Sequence, residues 1–445
     1  MSNITSTIRT RPTWATLPVA LFLAASFLAG GYFESTYSLL AAATWLGLAL
    51  AGALGAARRP SPAFCALVAF GGWTALSALW GPAGPALRTM PLVALYAGAL
   101  LAAEWVDGDR LLVALAGALT LVCAAALSGG AAGLSGSRLD WPVTYANGLG
   151  LVAVSGVLLA PVLRGRLALA AGAICGVAAV LTFSRNALLV GVAAAFLLPR
   201  FRIPRRVALA AAIPLVVLAA VLAHPVAARF AAPAPDEHDA RRLLDVSGHG
   251  RSALWRSAWH EARAHPLAGG GAGSWARSAI ADTHSLAEPA HSLPLETFAE
   301  LGAVGLALLL AFLALALRGT SPTALAVVAA FALHSLTDWD WQLPAATLPA
   351  IVAAGAARRS LPAGLPIAAG ALVVGILCGL HGLGAALLEQ GRPQPRLLPY
   401  DARPWAELGD FRRACAVDPG EPALVRADHS NEGCPRPPAG RSFPG

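Results

Sequence analysis

Three kinds of side chain stand where they could do chemistry. The first is a histidine. Ala290-His291-Ser292-Leu293-Pro294-Leu295-Glu296 reads as the entry to a helix, with Ser292 suited to the N-cap and Pro294 to the first turn. His291 stands just ahead of that helix. The helix's positive end disfavours a charged imidazole and leaves the ring able to take a proton. The second is a carboxylate pair, Glu296 and Glu300, one turn apart near the same helix start. Two readings of it stand side by side: stabilisation by the helix dipole, or orientation of His291 or of an arginine. The third is arginine. Arg251 falls in the first turn of Arg251–Ala264, where a positive charge works against the dipole, and an anionic ligand would account for it. Arg185 lies in Thr182-Phe183-Ser184-Arg185-Asn186 between two short apolar segments. That position is costly unless the charge is paired or lines a wet cavity; the alternative is a loop residue reaching to water. A guanidinium offers a planar fork of donors that fits phosphate at two points. His260, His265 and His284 share the polar stretch with His291 and are assigned no proton transfer.

The elements that hold these residues are apolar. The chain has 445 residues, 57% hydrophobic and 13% charged, with mean hydropathy +0.63. A soluble domain carries about 25% charged residues, so this is a polytopic, all-α membrane bundle. One polar insert, His224 to Glu300, interrupts it, with a hydrophobic helix-length segment on each side. All 32 basic residues are arginine, and the net charge is +8. The absence of lysine reflects either a GC-rich genome or selection for phosphate and carboxylate binding. No stripe alternates basic with aromatic residues, so nucleic acid is not a partner. The six cysteines are scattered, without a C-x-x-C or H-E-x-x-H pattern, which argues against a metal site or a disulfide framework.

Apolar segments fall at about 14–33, 37–57, 63–80, 88–105, 110–128, 146–163, 166–183, 186–199 and 205–223, then 293–317, 321–336, 343–357 and 364–388. Several are shorter than the ~20 residues of a span, so 12–13 transmembrane helices are expected, the first of them uncleaved. With the N-terminus cytoplasmic, the inside connections hold Arg58, Arg59, Arg110, Arg164, Arg166, Arg200, Arg202, Arg205, Arg206, Arg318, Arg358 and Arg359. The short outside connections hold Arg88, Arg138 and Arg185. This asymmetry places the insert outside. The expected organisation is helices over 1–223, a periplasmic loop over 224–291, helices over 292–388 and a largely disordered tail over 389–445. Three short outside connections, Ser128–Asn147, Thr182–Asn186 and His334–Pro344, converge on the face of the insert. Trp141, Trp339 and Trp341 in them are interfacial belt residues or substrate contacts. Within the insert, Leu254, Trp255, Ala258, Trp259 and Ala262 form an apolar stripe, the pattern of a helix lying on the membrane surface. Gly269–Trp275 is either a plain turn or a phosphate cradle at a helix start. A weak helix is expected over Ala402–Ala416.

The motifs Thr144-Tyr145-Ala146-Asn147-Gly148, Thr182–Ala187, Gly250–Trp255, His265–Gly273, Ala290–Leu306 and His334–Trp339 resemble, in this order, the O-antigen ligase/polymerase superfamily. The resemblance covers most of Thr144–Leu348. It implies a GT-C-like helical bundle at the bacterial inner membrane with its active site facing the periplasm. It also implies transfer of a glycan from undecaprenyl diphosphate to an acceptor hydroxyl, on a glycan or a lipid core, without nucleotide sugar, cofactor or metal. On that likeness His291, Arg251 and Arg185 are the catalytic residues. Tyr145, Asn147 and Trp255 join Glu296, Glu300, His334 and Asp338 in donor or acceptor binding. Ser292 departs from a frequent Asn and Pro294 from a frequent aromatic, which leaves the acceptor type open. A ligase and a repeat-unit polymerase are equally compatible with these motifs. A transporter would show inverted repeats and broken helices at the midplane, and the sequence has no internal repeat.

Overall fold

The computed structural model describes residues 16–55, 58–129, 138–196, 250–283, 289–318, 321–357 and 366–418. The apolar segment at 205–223, the first part of the insert, His284 and the tail beyond 418 lie outside the described residues, as do Arg200, Arg202, Arg205, Arg206, Arg358 and Arg359.

The described chain is helical and contains no strand among the described residues. Before the insert come α1 (Leu17–Phe27), α2 (Glu34–Ala53), α3 (Pro62–Leu76), α4 (Ala83–Arg88), α5 (Met90–Glu104), α6 (Gly108–Gly129), α7 (Ala146–Leu159), α8 (Gly165–Leu181) and α9 (Arg185–Phe196). The insert carries α10 (Arg251–Ala264) and α11 (Ser274–Thr283). After it follow α12 (Leu293–Ala316), α13 (Pro322–His334), α14 (Pro344–Ala356), α15 (Pro366–Glu389), α16 (Arg403–Glu407) and α17 (Phe411–Val417). Among the described residues, seven helices are long and apolar enough to cross a membrane, and five shorter apolar ones accompany them. These correspond to twelve of the apolar segments read from the sequence; the remaining one is 205–223.

Small residues let these helices approach closely, since lipid supplies no hydrophobic drive between them. On α15, Gly375 and Gly379 are four apart and face α2. A Cβ on Gly375 would stand 2.9 Å from the Leu46 side chain, and one on Gly382 3.1 Å from Leu39 and Ser38. Helix starts are closed by hydroxyls where the chain turns: Ser61 accepts from the Phe64 amide and Ser321 from the Ala324 amide.

α12 is the element that brings the insert to the bundle, and it is broken. Gly302 has φ 64° and ψ −167° inside it, so the backbone groups around residue 302 lose their helical partners. The insert supplies new ones. Gly270 and Gly271 amides donate to the Ala299 and Glu300 carbonyls, and the Ala303 and Val304 amides donate to Pro266 and Leu267. The Trp73 indole nitrogen takes the Leu301 carbonyl at 2.9 Å. The glycine-rich stretch is thus a docking turn: its amides are engaged by α12, and Ala272 donates to the Ser77 hydroxyl. A side chain at 302 would meet the Leu267 carbonyl oxygen at 2.2 Å in a left-handed conformation. Gly302→Ala should therefore cost more than the ~1–3 kcal/mol of such backbone strain alone. A several-degree fall in the melting temperature of the detergent-purified protein, or loss of the folded fraction, is the expected result.

The apolar stripe of α10 faces protein. Leu254, Ala258 and Ala262 pack with Trp275, Ala279, Ala290 and Ala299 from α11 and the start of α12. Trp259 stays 52% exposed and pairs with Phe298 at 5.9 Å. The tail folds as two short helices rather than one, because Gly409 is left-handed (φ 74°) and Asp410 caps the next turn through the Arg413 amide. It is moored by Arg403 to Glu34, by Arg88 to Asp401 and by Arg277 of α11 to Asp418. Cys415 in it is disulfide-bonded, which the spacing of the cysteines did not disclose.

Candidate active site

The polar connections around 140–147, 182–186 and 334–344 and the insert meet at one carboxylate. Asp338 lies in the turn after α13 and is fully buried. Its Oδ1 accepts from the Tyr145 hydroxyl at 2.6 Å and from the Trp339 amide at 3.0 Å. Its Oδ2 accepts from Asn147 Nδ2 at 2.8 Å and from Arg251 Nη2 at 3.2 Å. His291 Nδ1 stands 3.5 Å from Oδ1, the outer limit of a hydrogen bond, so the contact orients the ring more than it binds it. Nε2 is then the nitrogen on the opposite edge of the ring. Arg251 meets Asp338 through one nitrogen and leaves the rest of its fork to other acceptors.

Burial alone would raise the Asp338 carboxyl. The neighbouring His291 ring, the Arg251 guanidinium, His334 and the Tyr145 hydroxyl hold it well below the usual carboxylate range instead. Its contribution to stability is therefore present above the unfolded-state value of about 4 and lost as pH falls through the lower native one. Tyr145 is pushed well up by burial and by the Asp338 charge, so it stays a donor.

Three of the converging turns each hold a non-glycine residue in the left-handed region: Thr144 (φ 64°), Phe183 (φ 47°) and His291 (φ 53°). Such strain persists only where surrounding contacts over-determine it, and it gathers at functional sites. At His291 those contacts are visible. The Ala290 amide donates to Glu296 Oε2 at 2.8 Å, and the Leu293 amide donates to the Ser335 carbonyl at 2.8 Å. Ser292 occupies the N-cap position, but its hydroxyl makes no capping bond. Glu296 Oε1 also accepts from Gln342 Nε2, so this carboxylate orients His291 through the preceding amide. Glu300 accepts from the Gly273 and Trp275 amides and fastens the insert. Both glutamates line a small cavity with Thr74, Thr89 and Trp341, behind the Asp338 network.

His334 is fully buried, its Nδ1 paired with Asp340 across the turn that carries Asp338. Its carbonyl accepts from Asn186 Nδ2 at 3.2 Å, which brings the turn before α9 to the same place. Arg185, the first residue of α9, is half-buried there. Trp255 is half-buried one turn after Arg251 on α10. The structure thus gathers Tyr145, Asn147, Arg251, His291 and Asp338 around one carboxylate, with His334 bracing it. It sets Glu296 and Glu300 to one side.

Residues 168–310 match a family model described as O-antigen ligase. This stretch of the chain is similar to the O-antigen ligase family. The likeness goes with a polytopic helical bundle and points to the ligase- or polymerase-like membrane enzymes of polysaccharide assembly. No curated protein matches the chain. The match spans about a third of the chain, from α8 into α12. Arg185, Arg251 and His291 lie within it, whereas Tyr145, Asn147 and Asp338, which close the network, lie before and after it.

Sequence reasoning missed two participants. Asp340 was hidden in a tryptophan-rich turn, and its only signal was its spacing of six from His334. Arg138 was counted only for topology, although it stands on the face that arginine otherwise avoids. It donates to the Thr182 carbonyl and to Asn147.

Proposed function

We propose that this protein is a lipid-dependent glycosyltransferase of the bacterial inner membrane that moves a glycan from undecaprenyl diphosphate to an acceptor hydroxyl on the periplasmic side. The observation that carries the reading is the shared carboxylate: Asp338 holds the imidazole of His291 and the guanidinium of Arg251 together. A base and an anion-binding fork side by side suit attack by a hydroxyl on a carbon whose leaving group is a phosphate.

In this mechanism Nε2 of His291 takes the proton of the acceptor hydroxyl as its oxygen attacks the anomeric carbon. The bond from that carbon to the diphosphate oxygen breaks, and the electron pair leaves with the diphosphate. Arg251 and Arg185 neutralise the departing charge with paired hydrogen bonds. Attack and departure in one step invert the anomeric centre. Asp338 Oδ1, 3.5 Å from Nδ1, favours a proton on that nitrogen and so the tautomer that presents Nε2 as acceptor. The acceptor hydroxyl belongs to a glycan or to a lipid core.

Transfer from a purified lipid-linked glycan to acceptor, with the protein in detergent or nanodiscs, tests the reading; absence of transfer to either acceptor class would sink it. Within that assay, Arg251→Ala and Arg185→Ala should abolish turnover. The lysine variants should recover only part of it, because an ammonium cannot engage diphosphate at two points. Full activity of both lysine variants would dismiss the fork argument.

The orientation has its own check. Ala264 is exposed at the end of α10. Ala264→Cys should react with a membrane-impermeant thiol reagent in intact spheroplasts, and labelling seen only after lysis would reverse the topology.

A further inference from the structure

Arg138 joins the site as a third arginine, and unlike Arg251 it meets amide and backbone oxygens. Its Nε donates to the Thr182 carbonyl at 2.8 Å, and its Nη2 donates to Asn147 Oδ1. The next residue repeats the attachment, with the Leu139 amide donating to the Leu181 carbonyl at 3.0 Å. Residues 138 and 139 therefore take up carbonyls at the C-terminal end of α8, which have no helical donor of their own, immediately before the turn that carries Arg185.

The second contact has a chemical consequence. A side-chain amide has an acceptor on one side and a donor on the other. With Oδ1 of Asn147 held by a guanidinium, Nδ2 must point the opposite way. There it donates to Asp338 Oδ2 at 2.8 Å and to the Tyr145 hydroxyl oxygen at 3.0 Å. Turned over, the amide would set its NH2 group against the guanidinium and its oxygen against a carboxylate. Arg138 thus fixes the orientation of an amide that is itself buried and bonded to the carboxylate holding His291 and Arg251.

We propose that Arg138 is a positioning residue of the transfer reaction: it locks the Asn147 amide towards Asp338 and fastens the Arg185 turn to the same network, so that base and anion-binding groups keep one geometry. This rests on the transferase reading above. Residues that orient a reacting group through one intermediary typically matter by 10–100-fold, and that loss should fall on kcat, since the donor itself is held by Arg251 and Arg185.

The experiment is a cycle of Arg138→Ala, Asn147→Ala and the double variant in the transfer assay, with Arg138→Lys beside them. Each single variant should lose about 10–100-fold in kcat with the donor KM within about twofold, and the double variant should be no worse than the poorer single one. The lysine variant, charged but unable to reach both acceptors, should stay low. Losses that multiply in the double variant, or restoration of turnover by lysine, would overturn the proposal. So would a raised donor KM with unchanged kcat, which would mean that Arg138 holds the diphosphate itself. Melting temperatures of the same four proteins read the Arg138–Asn147 coupling without any turnover. If the parent protein transfers nothing while that coupling is present, the transferase reading has failed and the contact is structural. Absent coupling with an active parent removes the contact alone.

Discussion

The His291→Ala protein should fold, bind the lipid-linked donor about as well as the parent, and turn it over roughly 10²–10⁴-fold more slowly. The expectation rests on where the ring is held. Nδ1 faces Asp338 at 3.5 Å, and the backbone at 291 is left-handed, with φ 53°. The two flanking amides are tied to Glu296 and to Ser335. None of these ties passes through the imidazole, so removing the ring leaves the turn and its anchors in place, and alanine carries the same backbone strain. The side chain is 24% exposed, open enough to meet a substrate. His260 and His265 are exposed on the insert and are the comparison. Replacing either with alanine should leave turnover within about twofold, since surface changes away from such contacts are small in effect. A near-normal rate in His291→Ala, or an equal loss in His265→Ala, would mean the base lies elsewhere.

The helical bundle was legible because its signal is redundant: a run of apolar residues marks a span whatever its neighbours do. The arginine count groups the polar connections on one face, and the structure brings them together at Asp338. The three arginines that stand in those connections against the count are informative in turn. Arg88 pairs with Asp401, Arg138 joins Asn147, and Arg185 heads α9 beside the site. A charge on the disfavoured side must have something to hold it. The break in α12 could not be read, because the apolar pattern continues through Gly302 and an isolated glycine is common in membrane helices. What breaks the helix is the turn at 266–271 docking from the insert, a long-range event. Nor did the glutamates declare their partners: i, i+4 spacing says they share a face, not that this face meets the backbone of the insert. The hub at Asp338 was visible only as one acid in a motif. A buried carboxylate is defined by the donors around it, and here they come from positions 145, 147, 251 and 291.

Asp338→Asn is the substitution with the largest expected effect, because no orientation of the new amide suits its surroundings. Oδ1 of the carboxylate accepts from the Tyr145 hydroxyl and the Trp339 amide, and Oδ2 accepts from Asn147 and Arg251. Every partner is a donor. An NH2 group at either position points a donor at donors, inside a pocket that excludes water, and leaves a polar pair unmade. Arg251 also loses its counter-charge, and removing one partner of a buried ion pair typically costs 3–5 kcal/mol. The imidazole is then free to turn or to take the wrong tautomer, a fault that lowers kcat by about 10⁴ in serine proteases. The expected outcome is a fall in kcat of at least ~10³-fold by that precedent, with a lower melting temperature. The parent keeps this carboxyl well below the usual range, so at neutral pH it is charged and the variant is a neutral isostere at every pH. Raising the pH should therefore not restore the variant. Turnover within tenfold of the parent, or recovery at alkaline pH, would show that the carboxylate does not hold the site together.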